Sequence, residues 1–351
     1  MVKHSATSLG HTRDHAMKVS LEEALSGEAP HVLAALYKFV EIEDIESFKP
    51  VLLNQMIALE IKGSLLIARE GINGTVSGSR DHLDLFLTFL RSDSRFADLV
   101  YKESYAFEAP FHRAKVNLKR EIVTMGVPNV DPNLIVGTYV KPTEWNELIS
   151  DPDTILVDTR NDYEYRIGTF KGAVNPKTET FREFPQWIKD HSQTLKDNKK
   201  IAMFCTGGIR CEKATSYMRS LGYDQVFHLE GGILKYLEEM DRQKSLWEGE
   251  CFVFDERVSV GHGLKPGQYL LCHGCRSPIT QADLQSEHYE AGVCCPHCFD
   301  VLTDDRKGRF RERQKQIKLA EARNEKHIGR VMPNHTARKN NQQPLAIKKL
   351  K

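Results

Sequence analysis

A cysteine, two glycines and an arginine stand within six consecutive residues, Cys205-Thr206-Gly207-Gly208-Ile209-Arg210. The apolar run Ile201 to Phe204 precedes them, and a helical pattern begins near Arg210. The segment reads as a strand that delivers a thiol, a turn that glycine lets curl, and the start of a helix. A thiolate at that place faces backbone N–H groups and the positive end of a helix dipole. Both lower its pKa and stabilise an anion on the sulfur or on whatever it carries. A thiol kept only for packing would need neither the Gly-Gly turn nor the arginine. Cys211 follows at once. It is either a resolving thiol for an oxidised Cys205 or a core residue sharing a helix face with Ala214, Met218 and Leu221, and the spacing favours packing.

A second group of thiols has different chemistry. Cys272-His273-Gly274-Cys275 and Cys295-Pro296-His297-Cys298 make the pattern C-x2-C-x19-C-x2-C. Cys272, Cys275, Cys295 and Cys298 are expected to hold a tetrahedral zinc ion as four thiolates. A ligand set closed in this way is structural, with no open position for catalysis. Cys294 is a spare that could replace Cys295, His273 and His297 read as bystanders, and an iron–sulfur cluster is the alternative occupant.

The elements that must position these groups follow from the rest of the chain. Its 351 residues suggest two or three domains, and 40% hydrophobic with 28% charged residues is a soluble globular composition. There is no apolar run of roughly 18 residues to span a membrane and no apolar signal core in residues 1–30, so a cytoplasmic location is expected. There, eight cysteines read as catalytic or metal-binding rather than disulfide-forming. Residues 306–351 hold 15 Lys and Arg against 3 Asp and Glu, although the whole chain is only +1. A basic tail on an acidic body suggests a nucleic-acid contact, or a solvated end that binds nothing.

The expected organisation is α/β throughout. Residues 1–30 form a polar arm and 31–126 a ferredoxin-like βαββαβ domain. Within that domain Asn73-Gly74 reads as a hairpin signal, Asp81 as a helix cap and Ala114 to Val123 as the last strand. That strand would set Arg113, Lys115, Lys119 and Arg120 along one edge, as an RNA-facing row or merely a solubilising one. Residues 127–137 are a linker and 138–242 a parallel sheet flanked by helices. Residues 243–303 are the zinc-knuckle region, and 304–351 a basic helical and disordered tail.

Several motifs surround the cysteine loop in fixed order: Asp158-Thr159-Arg160, Tyr163-Glu164, Gly168 to Asn175, Gly222-Tyr223 and Glu230-Gly231-Gly232. Over residues 138–240 this order resembles the rhodanese (sulfurtransferase) domain. The resemblance implies that Cys205 is the nucleophile, Arg210 closes the anion cradle around Thr206, Gly207, Gly208 and Ile209, and Asp158 and Arg160 support the loop from beneath. A plain buried ion pair is the equal alternative for the last two. Over residues 31–300 the chain resembles the oxygen-dependent tRNA uridine hydroxylase (TrhO) family. That likeness rests on Ala68-Arg69-Glu70-Gly71-Ile72-Asn73-Gly74-Thr75, Lys119-Arg120-Glu121-Ile122-Val123, Asp158 to Glu164, Cys205 to Ala214, and Phe252-Val253-Phe254-Asp255-Glu256-Arg257. It implies conversion of the wobble uridine in a tRNA anticodon loop to 5-hydroxyuridine, with molecular oxygen as co-substrate.

The residues by themselves point instead to a sulfurtransferase with a persulfide on Cys205. No flavin or nicotinamide fingerprint is present, and His288-Tyr289-Glu290 has no evident third ligand for iron. A covalent route would close the gap, with Cys205 adding to C6 of uracil so that C5 can react with oxygen, and a persulfide or a peroxidic sulfur species is an equally open variant. A phosphatase is disfavoured because its loop would run one residue longer, and an RNA-binding adaptor because it would not need the cysteine.

Overall fold

Alternating apolar residues build the first sheet. The computed structural model describes residues 31–106 and 109–323. It opens with β1 (His31–Phe39), α1 (Ile45–Ala58), β2 (Lys62–Ala68), β3 (Gly71–Gly78), α2 (Arg80–Ser92), β4 (Tyr101–Ala106) and β5 (Ala114–Leu118). The strand order is β4-β1-β3-β2-β5. Val32, Ala34 and Leu36 of β1 pack with Leu52 and Met56 of α1 and with Leu83, Phe86 and Leu90 of α2. Phe39, on the opposite face, joins a separate cluster with Ala68, Ile122 and Ile209. One face of the sheet thus carries its own helices, and the other receives the next domain.

The first four strands are the ferredoxin-like set, but three local expectations change. The fourth strand is Tyr101–Ala106, antiparallel to β1. Ala114–Leu118 is an added fifth strand, parallel to β2 at the opposite edge. Its alternating pattern is that of any half-buried strand and cannot say which edge it joins. The β2–β3 turn is Arg69-Glu70, and Asn73-Gly74 lies inside β3. Asn73 spends its amide on the Ile122 carbonyl at 2.8 Å, so it serves a long-range contact rather than a turn. The cap of α2 is Ser79, which accepts from the His82 N–H, and Asp81 sits in the first turn.

The central unit is β6 (Thr138–Val140), α3 (Pro142–Ser150), β7 (Thr154–Asp158), α4 (Asp162–Tyr165), β8 (Gly168–Phe170), α5 (Phe184–Asp190), α6 (Ser192–Asp197), β9 (Lys200–Phe204), α7 (Ile209–Ser220), β10 (Val226–Leu229) and α8 (Gly232–Glu239). Its sheet runs β6-β10-β9-β7, all parallel. A parallel sheet is buried on both faces, which is why β9 is apolar throughout. Ile201 and Met203 face a core with Phe184, Ile188 and Met218. Ala202 and Phe204 face another with Trp145, Ile233 and Tyr236. Open parallel sheets gather their functional loops at the carboxyl ends of the strands. Here those loops follow Asp158, Phe204 and Leu229.

The stretch after residue 242, irregular by sequence, completes that core. β11 (Trp247–Gly249) pairs with β8, and β12 (Cys251–Phe252) pairs with β13 (Ser259–Val260). Trp247, Cys251 and Val253 are buried among Phe170, Phe204 and Tyr236. Beyond it, β14 (Leu270–Leu271) and β15 (Pro278–Ile279) frame the cysteine knuckles, and α9 (Asp304–Glu321) follows, capped by Thr303. The polar arm and the tail beyond residue 323 lie outside the described residues. Among the described residues no helix is long and apolar enough to cross a membrane.

A buried lysine clamps the first two units. Lys213 of α7 is 1% exposed and reaches Glu70 at 2.7 Å, Glu121 at 2.6 Å and the Val123 carbonyl at 3.2 Å. Glu70 also accepts from the Ile122 N–H at 2.6 Å. Lys213→Met keeps the side-chain volume but leaves two carboxylates facing each other. It is expected to destabilise the protein by about 3 kcal/mol, the low end for a broken buried pair because both glutamates keep some solvent. Denaturant unfolding checks this, and a change below ~1 kcal/mol would deny the clamp its importance.

Candidate active site

Cys205 follows directly on β9, and the chain turns through Thr206, Gly207 and Gly208 into α7. The Gly208 N–H donates to the Cys205 sulfur at 3.1 Å. Gly208 takes φ +107°, which β-carbon sterics disfavour, and a Cβ there would lie 2.7 Å from the Tyr37 hydroxyl. Gly232 takes φ +66°, and a Cβ on it would lie 2.5 Å from the Cys205 carbonyl. The two glycines let the loop close on itself and on the start of α8. Cys205 is 1% exposed. Burial would raise its pKa. The Cys211 side chain, the Arg210 guanidinium and the Cys211 and Gly208 amides outweigh that and hold it well below the ordinary thiol value.

Cys211 moves the opposite way. Burial and the neighbouring Cys205 push it well above the thiol range. It lies in the core with Ala214 and Met218 and touches Thr159 Oγ1 at 3.4 Å. Cys211 is thus a core residue, as its spacing favours, with its thiol beside Cys205.

Arg210 reaches the cradle as one half of a buried ion pair. It forms a two-pronged pair with Glu164 of α4, Nη1 to Oε2 and Nη2 to Oε1, both 2.7 Å. Both residues are buried, and Thr206 Oγ1 adds a bond to Glu164 at 3.3 Å. Arg210 thus holds the loop shape and acts on Cys205 through its charge. Asp158 and Arg160 are also buried. Arg160 Nε lies 2.9 Å and Nη2 2.6 Å from the Asp158 carboxylate, and Nη2 also donates to the Gly168 carbonyl at 2.6 Å. Between them Thr159 binds the Phe204 carbonyl through both its N–H and its hydroxyl, each at 3.0 Å. The pair braces the end of β9 from below and touches β8.

Tyr37, Lys102 and Cys251 carried no sequence signal, whereas Glu212 stood inside the Cys205 to Ala214 motif. Tyr37 of β1 donates to Glu212 of α7 at 2.7 Å. Burial raises the Glu212 carboxyl, with the Tyr37 and Tyr139 hydroxyls opposing. Lys102 of β4 donates to the Gly207 carbonyl at 3.0 Å and also to the Gly231 carbonyl. Cys251 is a third buried thiol beside the loop, pushed up to about 12 by burial. Tyr37 and Lys102 arrive from another domain, more than 100 residues away, and no local spacing reveals such a contact. Glu164 could have been found, because it already stood in the Tyr163-Glu164 motif.

Arg113, Lys115, Lys119 and Arg120 are exposed on and beside β5, at the opposite edge of the sheet from β4.

The four knuckle cysteines converge. Their sulfurs all lie within 4.8 Å of one another, with Cys275 to Cys295 at 3.8 Å and Cys295 to Cys298 at 3.7 Å. A metal–sulfur bond of about 2.3 Å in a tetrahedron requires sulfurs about 3.8 Å apart. The donors fit one ion such as zinc. The Cys294 sulfur instead faces the His288 carbonyl at 3.5 Å, which makes Cys295 the ligand.

Comparison with known proteins agrees with this division. Residues 31–122 match the family model of the UPF0176 acylphosphatase-like domain, and residues 141–239 match the rhodanese-like domain. Among solved structures, a rhodanese-like domain from Anabaena sp. is 19% identical over 32% of this chain and 78% of its own, with a TM-score of 0.26. A rhodanese-related protein from Thermoplasma volcanium is 22% identical over 29% of this chain and 92% of its own, with a TM-score of 0.24. The dark-state BLUF protein BlrB is 15% identical over 28% and 80%, with a TM-score of 0.25.

Proposed function

From the UPF0176-plus-rhodanese architecture that this chain carries, we propose that it is a tRNA-modifying enzyme that hydroxylates the wobble uridine at C5 with molecular oxygen. The observation that carries the chemistry is geometric: Cys205 stands at the start of α7 with the Gly208 N–H 3.1 Å from its sulfur and Cys211 buried beside it, an arrangement that favours the thiolate at 205 and the thiol at 211. Cys205 adds to C6 of the uracil and gives C5 enolate character, and the loop amides and the Arg210 charge stabilise the anion. Oxygen joins C5. Loss of the C5 proton and departure of Cys205 restore the ring as a 5-hydroperoxide. Two thiols then cleave the O–O bond. One oxygen stays as the 5-hydroxyl, the other leaves as water, and Cys205 and Cys211 become a disulfide that a cellular thiol reduces. An anticodon loop suits such a site, because its bases can be extruded without breaking a duplex. The four-cysteine unit would hold structural zinc, and the exposed basic residues would meet tRNA phosphates.

Sulfur transfer is the second reading, favoured by the rhodanese-like match and a loop sized for one sulfur. One experiment separates them. Purified protein, unmodified tRNA and a thiol reductant are incubated under ¹⁸O₂ or under nitrogen, and the nucleosides are analysed by mass spectrometry. One ¹⁸O atom in 5-hydroxyuridine, and none of that product under nitrogen, supports hydroxylation. A thiolated nucleoside formed from thiosulfate under nitrogen supports sulfur transfer.

A further inference from the structure

Each carbonyl of the reactive loop has a partner. The Cys205 carbonyl accepts from the Ile233 N–H at 2.9 Å and the Thr206 carbonyl from the Leu234 N–H at 3.1 Å, both on α8. The Gly208 carbonyl accepts from the Glu212 N–H at 3.0 Å inside α7. The Gly207 carbonyl is different. Its donor is Lys102, on an edge strand of the N-terminal domain, at 3.0 Å. The same ammonium also binds the Gly231 carbonyl, where α8 begins. The Gly207 carbonyl and the Gly208 N–H belong to one peptide plane, and a peptide plane turns as a unit. On its other side that plane donates to Cys205 at 3.1 Å.

We infer that Lys102 is a positioning residue of the active site: by holding the Gly207 carbonyl it aims the Gly208 N–H at the Cys205 sulfur. The first domain thereby becomes part of the catalytic apparatus, because an undocked domain would leave this peptide free to turn its N–H away. Glycines flank the plane on both sides, so nothing local prevents that rotation. Geometry places Lys102 for the task. It stands opposite Ala35 on the neighbouring strand, on the face of the sheet that also presents Tyr37. Desolvation brings the ammonium down to about 8, with the nearby Cys205 acting against it, so it is charged at neutral pH. The groups that face Cys205 are Arg210, Cys211 and Glu212 from α7, Tyr37 from β1 and Lys102 from β4.

This inference rests on Cys205 being the reactive group of the proposed modification, but its test needs no RNA. The full chain is alkylated with iodoacetamide across a pH series, and the Cys205 peptide is quantified by mass spectrometry. Lys102→Met is expected to raise the pH midpoint of Cys205 alkylation by about one unit, an approximately ten-fold loss of thiolate on the acidic limb. A change in access alone would alter the plateau and leave the midpoint in place. Lys235→Met removes a nearby α8 cation bound to Glu230 and is expected to leave the midpoint unmoved. An unshifted midpoint in folded Lys102→Met protein overturns the inference. Lys102→Gln keeps a donor without the charge and is expected to hold the midpoint near wild type; a midpoint raised as far as the one expected for Lys102→Met would make the effect one of charge alone and overturn the inference. A raised midpoint in a protein that makes no 5-hydroxyuridine would leave Lys102 as the loop's positioner and remove only the hydroxylase reading.

Discussion

Cys205→Ser is expected to reduce 5-hydroxyuridine formation by at least ~10³-fold, the order lost when a covalent nucleophile is removed. The fold should be indifferent, because serine is close in size and can accept from the Gly208 N–H. What disappears is an anion. A serine hydroxyl stays protonated where the loop amides, Arg210 and Cys211 hold the thiol of Cys205 ionised. Cys211→Ser makes the informative contrast. A hydroxyl at 211 can still donate to the Cys205 sulfur, so alkylation of Cys205 should keep its low midpoint. The second reducing sulfur is gone, so turnover should fall roughly 10²-fold or more, with the C5–O bond still made when an external dithiol is abundant. If Cys205→Ser retains more than a tenth of the activity, no version of cysteine chemistry at this loop survives. If Cys211→Ser turns over like wild type without added dithiol, Cys211 is packing and nothing else.

The pH profile follows from the same pair. Cys205 lies below its ordinary value and Cys211 above it. A rate that needs the thiolate of one and the thiol of the other is therefore present above the Cys205 pKa and lost again as pH rises through that of Cys211. A broad plateau through neutral pH is expected, with its acidic limb well below 8.

The reactive loop was legible in the sequence because its chemistry is local. Strand, thiol, two glycines and helix start occupy consecutive positions, and each residue's reason lies within a few neighbours. The four-cysteine cluster was legible for the same reason. What could not be read was which side chains from distant parts of the chain touch the loop and the helix after it. Glu70, Glu121 and Lys213 each stand in a motif already marked as family-like, yet only the fold shows that these motifs coincide because they meet. The pairing of Arg210 with Glu164 was out of reach for the same reason, since 46 residues separate them. The misplacement of β5 has another cause. Hydrophobic alternation fixes which face of a strand is buried but carries no information about which neighbour it pairs with. A row of lysines and arginines on such a strand can therefore be correctly exposed and still lie at the far edge from the site.

Removing the metal should have the largest effect on structure. Between β14 and α9 the unit buries few aliphatic side chains apart from its cysteines, Ile279, Val293 and Leu302. Its paired strands are two residues long, so a structural zinc ion, with about 10–16 kcal/mol of apparent binding free energy, would be the largest single contribution to keeping the unit folded. One zinc per chain is expected by mass spectrometry of the metal. Cys295→Ser should lose it, while Cys294→Ser, whose sulfur faces a carbonyl and not the cluster, should keep it. In the metal-free protein, limited proteolysis should cut within residues 270–302 and spare the central sheet. The helix α9 should loosen too, since its seat is the same unit: Arg311 pairs with Glu290, and Arg313 donates to the His273 and Gly292 carbonyls. Metal-free protein that resists the protease as well as the native form does would mean that the four thiols are packed rather than coordinated, and that α9 holds the knuckles instead of the reverse.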